Sequence, residues 1–334
     1  MTEPAVLARL IRGDLEEGAH RGHAVVVDST GGVVAAWGNP AHLIYPRSSC
    51  KMLQALPLIE SGAAGVYGLG SEQLALACAS HNGAAIHTDR VKAWLGGLGL
   101  GDDDLRCGVQ RPADRDARAA LGTSPPAQMH NNCSGKHAGF LTLGQHLGGG
   151  AEYIDPSHPV QRQVKDTFEE MVGEASPGFG IDGCSAPNFA CTLQGLATAM
   201  ARMSQPQGLG SSRRQAAEKL VGAMMQHPDL VAGEGRACTE LMRAAPGRLA
   251  VKTGAEGVFT MILPDHALGV AIKIEDGATR ASEAAAAALL VGLGVLDRDD
   301  PTIQRRANAP QLNRRGIAAA VLQADEGLFD RRGF

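Results

Sequence analysis

Two short β-branched hairpins, one towards each end of the chain, constrain the fold more than any other feature of this sequence. Val25-Val26-Val27 and Val33-Val34-Ala35-Ala36-Trp37 flank Asp28-Ser29-Thr30-Gly31-Gly32, the pattern of two strands around a Gly-Gly turn. The signal returns at Val258-Phe259-Thr260-Met261-Ile262-Leu263 and Leu268-Gly269-Val270-Ala271-Ile272-Lys273-Ile274, separated by Pro264-Asp265-His266. Between the hairpins the patterning is helical. One helix is expected to open at Ser71-Glu72-Gln73 and end near Ser80, and another, around Val91 to Leu95, to stop at Gly96-Gly97. Further helices are expected from Pro159 through Met171, Leu193 to Met203, Gln215 to Met225 and Glu283 to Leu293. Strands from both chain ends pair in one mostly antiparallel sheet, with the central helical region packed on it and beyond it. The expected class is therefore α+β. Residues 204–212 read as a surface loop between two helices, not as a linker, so residues 1–334 are expected to form a single domain.

Composition removes several function classes. A formal net charge of −4 offers no basic footprint for nucleic acid or anionic lipid. The scattered arginine pairs, such as Arg213-Arg214 and Arg331-Arg332, read as solvated surface. The longest apolar run, Ala284 to Leu296, is too short and too rich in Ala and Gly to span a bilayer, and reads as a buried helix. The first residues lack a basic stretch followed by an apolar core, which predicts no secretory signal and a cytoplasmic location. The 7 cysteines are odd in number and show no disulfide spacing, so reduced thiols are expected. Cys50, Cys78, Cys107, Cys191 and Cys238 read as core or near-core thiols. No Gly-rich phosphate loop follows a strand, and no nucleotide or other organic cofactor is expected.

Lysine is scarce, which gives weight to the lysines that fall in motifs: Lys51, Lys92, Lys136, Lys165, Lys219, Lys252 and Lys273 are all there are. Ser48-Ser49-Cys50-Lys51 precedes a helical pattern. A helix beginning near Ser48 would put Ser48 and Lys51 on one face, where a neutral amine can take the hydroxyl proton. Ser80-His81-Asn82-Gly83 follows an apolar helix, and Lys252-Thr253-Gly254 precedes a strand. Singly these motifs also read as a helix-start serine, a helix C-terminus closed by Asn and Gly, and a surface lysine. In order, S-x-x-K, S-x-N and K-T-G resemble the signature of serine β-lactamases and penicillin-binding proteins, with His81 where the S-D-N form has aspartate. Together they point to a serine acyl-transfer site built on Ser48, Lys51, Ser80 and Lys252.

A free lysine titrates near ~10.4, so service as a base at pH 7 requires a shift worth about 4 kcal/mol. Two ammonium groups roughly 4 Å apart at an effective dielectric near ~20 repel by that amount. Lys51 and Lys252 converging on one pocket would thus keep one of them neutral. A second constellation runs from His130 to His137 and recurs in Ile181-Asp182-Gly183-Cys184-Ser185-Ala186-Pro187. Cys133, His137 and Cys184 are soft metal-ligand types, with Cys133 and His137 at i, i+4 if helical. The same residues also read as a tight glycine loop with buried cysteines, since the C-x-x-C pairs of a structural zinc site are absent.

Five stretches resemble the rhizobial-type L-asparaginases, the asparaginase family with a serine-β-lactamase-like fold. They are Tyr45-Pro46-Arg47-Ser48-Ser49-Cys50-Lys51, Ala79-Ser80-His81-Asn82-Gly83, Asn131-Asn132-Cys133-Ser134-Gly135-Lys136-His137, Asp182-Gly183-Cys184-Ser185-Ala186-Pro187 and Val251-Lys252-Thr253-Gly254-Ala255-Glu256-Gly257. The likeness runs from about residue 20 to residue 295, and beyond Asp300 the tail is uninformative. It implies a serine-β-lactamase/glutaminase-like fold. It also implies two Ser–Lys pairs, Ser48 with Lys51 and Ser80 with Lys252, with Ser48 the expected nucleophile; the sequence leaves the roles of the two serines interchangeable. By the same resemblance Cys133, Lys136 and Cys184 hold zinc, Arg47, His137 and Asp182 contact substrate or orient the site, and the protein is a homodimer. The implied reaction is hydrolysis of L-asparagine to L-aspartate and ammonia. Rival readings are a glutaminase of the same fold, a penicillin-recognising enzyme, and a non-catalytic amino-acid or metal-binding protein.

Overall fold

In a computed structural model, which describes residues 3–330, the chain forms two compact units, each discontinuous in sequence. One comprises residues 3–49, 191–205 and 240–330, the other residues 50–190 and 206–239.

The first unit is built on an eight-stranded antiparallel sheet. Its order is Asn308–Leu312, Ala318–Ala324, Ala5–Arg12, Leu15–Asp28, Leu268–Ile274, Val258–Leu263 and Ala250–Thr253, with Val33–Trp37 also paired to Leu15–Asp28. Both expected hairpins are present. They join through Leu15–Asp28 and Leu268–Ile274, in the register Val26 opposite Val270. Every residue of Val258–Leu263 is buried, so this strand is covered on both faces, as its unbroken apolar run requires. The helices Leu193–Ser204 and Thr279–Gly292 pack on the sheet. Gly269 permits the first of these: a Cβ there would lie 2.1 Å from the backbone nitrogen of Ala201. The apolar run after Glu283 is a buried helix, as expected. The tail beyond Asp300 is not featureless, because it forms the helix Pro301–Ala307 and two strands at one side of the sheet.

The second unit is helical. Lys51–Glu60 is buried over most of its length and packs against Ser134–His146, Pro159–Val172 and Ser211–Gln226. Pro159 occupies the first turn of its helix, as its missing N–H favours. The helix Ala85–Gly97 stops at the expected Gly96-Gly97 pair. The chain then reverses at Gly99, which takes φ +73°. The helix begun at Ser71 ends at Ala77, three residues before Ser80. All 7 cysteines are free and buried, and burial pushes the Cys50 and Cys107 thiols up to about 12. Among the described residues no helix is long and apolar enough to cross a membrane.

Candidate active site

In the helical unit, Lys51 opens the helix Lys51–Glu60 and is 1% exposed. Its amine donates to the carbonyl oxygen of Ala79, lies 3.0 Å from Ser80 Oγ and lies 3.1 Å from Cys133 Sγ. Ser80 is held from behind, its N–H donating to the Val231 carbonyl at 2.9 Å. A carbonyl can only accept, but a hydroxyl can accept or donate. A neutral Lys51 amine therefore still satisfies every partner when the Ser80 hydroxyl donates into its lone pair, which is the geometry a general base requires. Ser80 is thus one serine whose hydroxyl reaches the Lys51 amine. Arg47–Cys50 is a 3-10 turn with Arg47 at φ +54°, and the α-helix starts at Lys51; a 3-10 turn likewise brings residues i and i+3 to one face.

In the sheet unit, the same turn meets the end of the K-T-G strand. Ser48 is half-buried. Ser49 Oγ donates to the Pro46 carbonyl at 2.7 Å, and Thr260 Oγ1 donates to the Ser49 carbonyl at 2.9 Å, fixing the turn to the sheet. Gly254 makes this approach possible, since a Cβ would come within 2.9 Å of the Pro46 carbonyl oxygen. Lys252, 1% exposed, donates to the Thr253 carbonyl at 2.8 Å. Arg47 lies 3.8 Å from Glu256 in the same unit.

The second constellation assembles within the helical unit. Cys133 caps Ser134–His146, which carries Lys136 and His137 on its first turn, and Cys184 comes from the turn between the strands Phe179–Ile181 and Pro187–Phe189. Lys136 Nζ lies 3.0 Å from Cys184 Sγ. The hydrogen bond with Cys133 and the charge of Lys136 lower the Cys184 thiol from its ordinary range. Burial opposes charge on Lys136, but the two cysteines outweigh it and raise its amine above the ordinary lysine value. Burial lowers His137 to about 4, so its ring is neutral.

The tautomer of His137 follows from its neighbour. Tyr153 Oη accepts the Arg106 N–H at 2.7 Å, which leaves its own proton for His137 Nδ1, 2.8 Å away. The ring proton is then on Nε2, a buried atom without an ordinary hydrogen bond that feels the Cys184 charge. His137 thus faces Cys184 with its Nε2–H. Asp182 is half-buried in the same turn, where its Oδ1 accepts the Gly183 N–H at 2.8 Å.

Among the described residues no group of three or more His, Cys, Asp or Glu side chains converges to hold a metal ion. The donor set around Cys184 is different in kind: two thiols and one amine. Tetrahedral zinc spaces sulfur and nitrogen ligands roughly 3.5 Å apart, against the 3.0 Å between Lys136 and Cys184, so for this pair zinc would require a small outward shift and a deprotonated lysine.

Sequence reasoning missed Tyr153, the contact of Cys133 with Lys51, and the bond of His81 Nε2 to Ser134 Oγ at 2.9 Å. Tyr153 stands in no motif, and nothing in its neighbourhood could have marked it.

Among solved structures, the chain is similar to a β-lactamase from Mycobacterium bovis at 14% identity, covering 80% of this chain and 93% of that one with a TM-score of 0.42. It is also similar to a protein solved as Mglu in its native form, at 11% identity, covering 88% and 69% with a TM-score of 0.48. No curated protein matches the sequence. The family model described as L-asparaginase II matches residues 8–324, nearly the whole chain, and this chain therefore belongs to the L-asparaginase II family and is a hydrolase.

Proposed function

We propose that this chain hydrolyses the side-chain amide of L-asparagine, giving L-aspartate and ammonia through a serine acyl-enzyme. The observation that supports it is the buried Lys51 amine held 3.0 Å from Ser80 Oγ within a family of amide hydrolases. Ser48, half-buried and so open to a substrate, attacks the amide carbon. Lys51, at the start of the helix that follows it in the chain, takes the hydroxyl proton. The C–N bond then breaks, and the nitrogen leaves as ammonia with a proton passed through Ser80. Water repeats the sequence on the ester and restores Ser48. The choice of Ser48 as nucleophile, and of Lys252 as a second proton carrier, rests on the S-x-x-K and K-T-G motifs. Arg47 and Asp182 are assigned to the charged ends of the amino acid, and His137 to orienting the site. Backbone N–H groups stabilise the oxyanion.

Cys133, Lys136 and Cys184 are assigned as the residues that would hold zinc. Bound there, zinc would supply fixed positive charge next to Cys133, which touches Lys51. A homodimer in the cytoplasm completes the reading; sedimentation and cell fractionation measure both.

The deciding experiment compares ammonia release from L-asparagine and L-glutamine by the native chain, Ser48→Ala and Ser80→Ala, with and without a chelator. Release from asparagine well above glutamine, lost in both variants, is the expected result. Folded, zinc-supplied protein that releases no ammonia from either amide overturns the assignment.

A further inference from the structure

The Ser80 loop is tied to the helix that carries Lys136 and His137 by a chain of hydrogen bonds through one histidine. His81 is 1% exposed and Ser134 is fully buried. The Gly83 N–H can only donate, and it points at His81 Nδ1 from 3.2 Å, so Nδ1 is the bare nitrogen and the proton is on Nε2. Nε2–H donates to Ser134 Oγ at 2.9 Å, and the Ser134 hydroxyl donates to the Met129 carbonyl at 2.9 Å. Each member of the chain is satisfied in only one direction. A protonated ring would turn Nδ1 into a donor against the Gly83 N–H. Burial first, then His87, Lys51, His130 and Arg236 around it, keep His81 neutral by lowering its titration. The ring face rests on His87, stacked at 4.8 Å and 8°, and His87 is itself held by Nε2–H donation to the Asp229 carbonyl. Backbone bonds from Ser80 N to Val231 O and from His81 N to Asn132 O close the loop on both sides.

We propose that His81 is a positioning residue for the Ser80 hydroxyl, acting through its Nε2–H bond to Ser134. This inference rests on the asparaginase reading for its kinetic consequence and on nothing but the hydrogen bonds for its structural one. Ser134 is the first residue of Ser134–His146. The bond therefore locks the loop that presents Ser80 to Lys51 against the helix start that presents Cys133 and Lys136.

Two substitutions separate the two ends of the ring. Gln places an amide N–H where Nε2–H stands, whereas Asn places an oxygen where Nδ1 stands. His81→Gln should keep kcat for asparagine within about threefold of native. His81→Asn and Ser134→Ala should each lower kcat roughly 10- to 100-fold with KM nearly unchanged, the size of effect a misplacement near ~1 Å produces. The double variant His81→Asn/Ser134→Ala should be no worse than either single, as members of one linkage are non-additive. Amide hydrogen exchange at residues 80 and 81, whose N–H groups bond Val231 and Asn132, supplies a readout independent of activity: protection should fall in His81→Asn and Ser134→Ala and persist in His81→Gln. Equal behaviour of Gln and Asn in both measurements, or additive losses in the double variant, overturns the proposal. A native chain with no amidase activity removes the asparaginase reading instead, and the exchange pattern then decides the linkage alone.

Discussion

Lys51 and Lys136 are both buried in the helical unit, and each holds its amine about one hydrogen-bond length from a cysteine sulfur, 3.1 Å to Cys133 and 3.0 Å to Cys184. Their surroundings differ. Lys51 faces a carbonyl, a hydroxyl and a thiol whose titration is pushed up, first by its bond to Cys184 and then by burial. Lys136 faces a thiol whose titration its own charge helps to lower, and Cys184 and Cys133 in turn raise the Lys136 amine against its burial. The same residue pair thus stands in two surroundings: a lysine beside a hydroxyl can exchange a proton with Ser80, while a lysine beside Cys184 has its proton held more tightly. What neighbours each sulfur, not the Lys–Cys contact itself, decides which.

Substitution of each lysine breaks this comparison in a different observable. Lys51→Met should lower asparagine turnover by about 10²–10⁴-fold, the range of a positioned base, in a protein with native circular dichroism. Turnover near native in that variant would remove Lys51 from the chemistry. Lys136→Met leaves Cys184 without its cation and should cost about 3–5 kcal/mol of unfolding free energy in urea, with protonation of Cys184 tending to reduce the loss. A cost below about 1 kcal/mol would show that the pair is not ionic.

Acid sharpens the same contrast through His137. Its folded-state titration lies at about 4, below the ordinary 6.5, so the unfolded chain binds the proton first. Stability is fully present above pH 6.5 and falls as pH drops towards 4, by about 3 kcal/mol from this residue. Urea midpoints at pH 7 and pH 4.5 measure it, and His137→Gln should flatten the slope. The smallest effect belongs to Tyr153→Phe, which removes the donor to His137 Nδ1 and should cost about 1–3 kcal/mol. It should also weaken zinc binding in a chelator competition, because the ring that faces Cys184 is no longer fixed. Unchanged zinc affinity there would place His137 outside the metal site.

Much of this was legible along the chain. The two valine-rich hairpins announced the sheet because each strand pairs with its neighbour across a few residues, and turn chemistry is local. The Ser–Lys motifs were legible because short spacings fall on one loop or one helical turn. Two features were not. The strands Ala5–Arg12, Asn308–Leu312 and Ala318–Ala324 carry weak alternation and are strands because distant partners offer them hydrogen bonds. The bond of Lys51 to Ser80, 29 residues away, was not marked either, because packing and not spacing brings the two together.

The sequence by itself determined the class of the fold, the family and the list of reactive side chains, since periodicity, turn residues and motif order are properties of short segments. Only the tertiary structure decided how those side chains are partnered. Lys51 meets Ser80 and Cys133, Lys136 meets Cys184, and His81 meets Ser134, across separations of 29, 82, 48 and 53 residues. No local pattern encodes contacts at such distances. They arise when buried helices bring polar groups together away from water, where each group must find a partner or be destabilised.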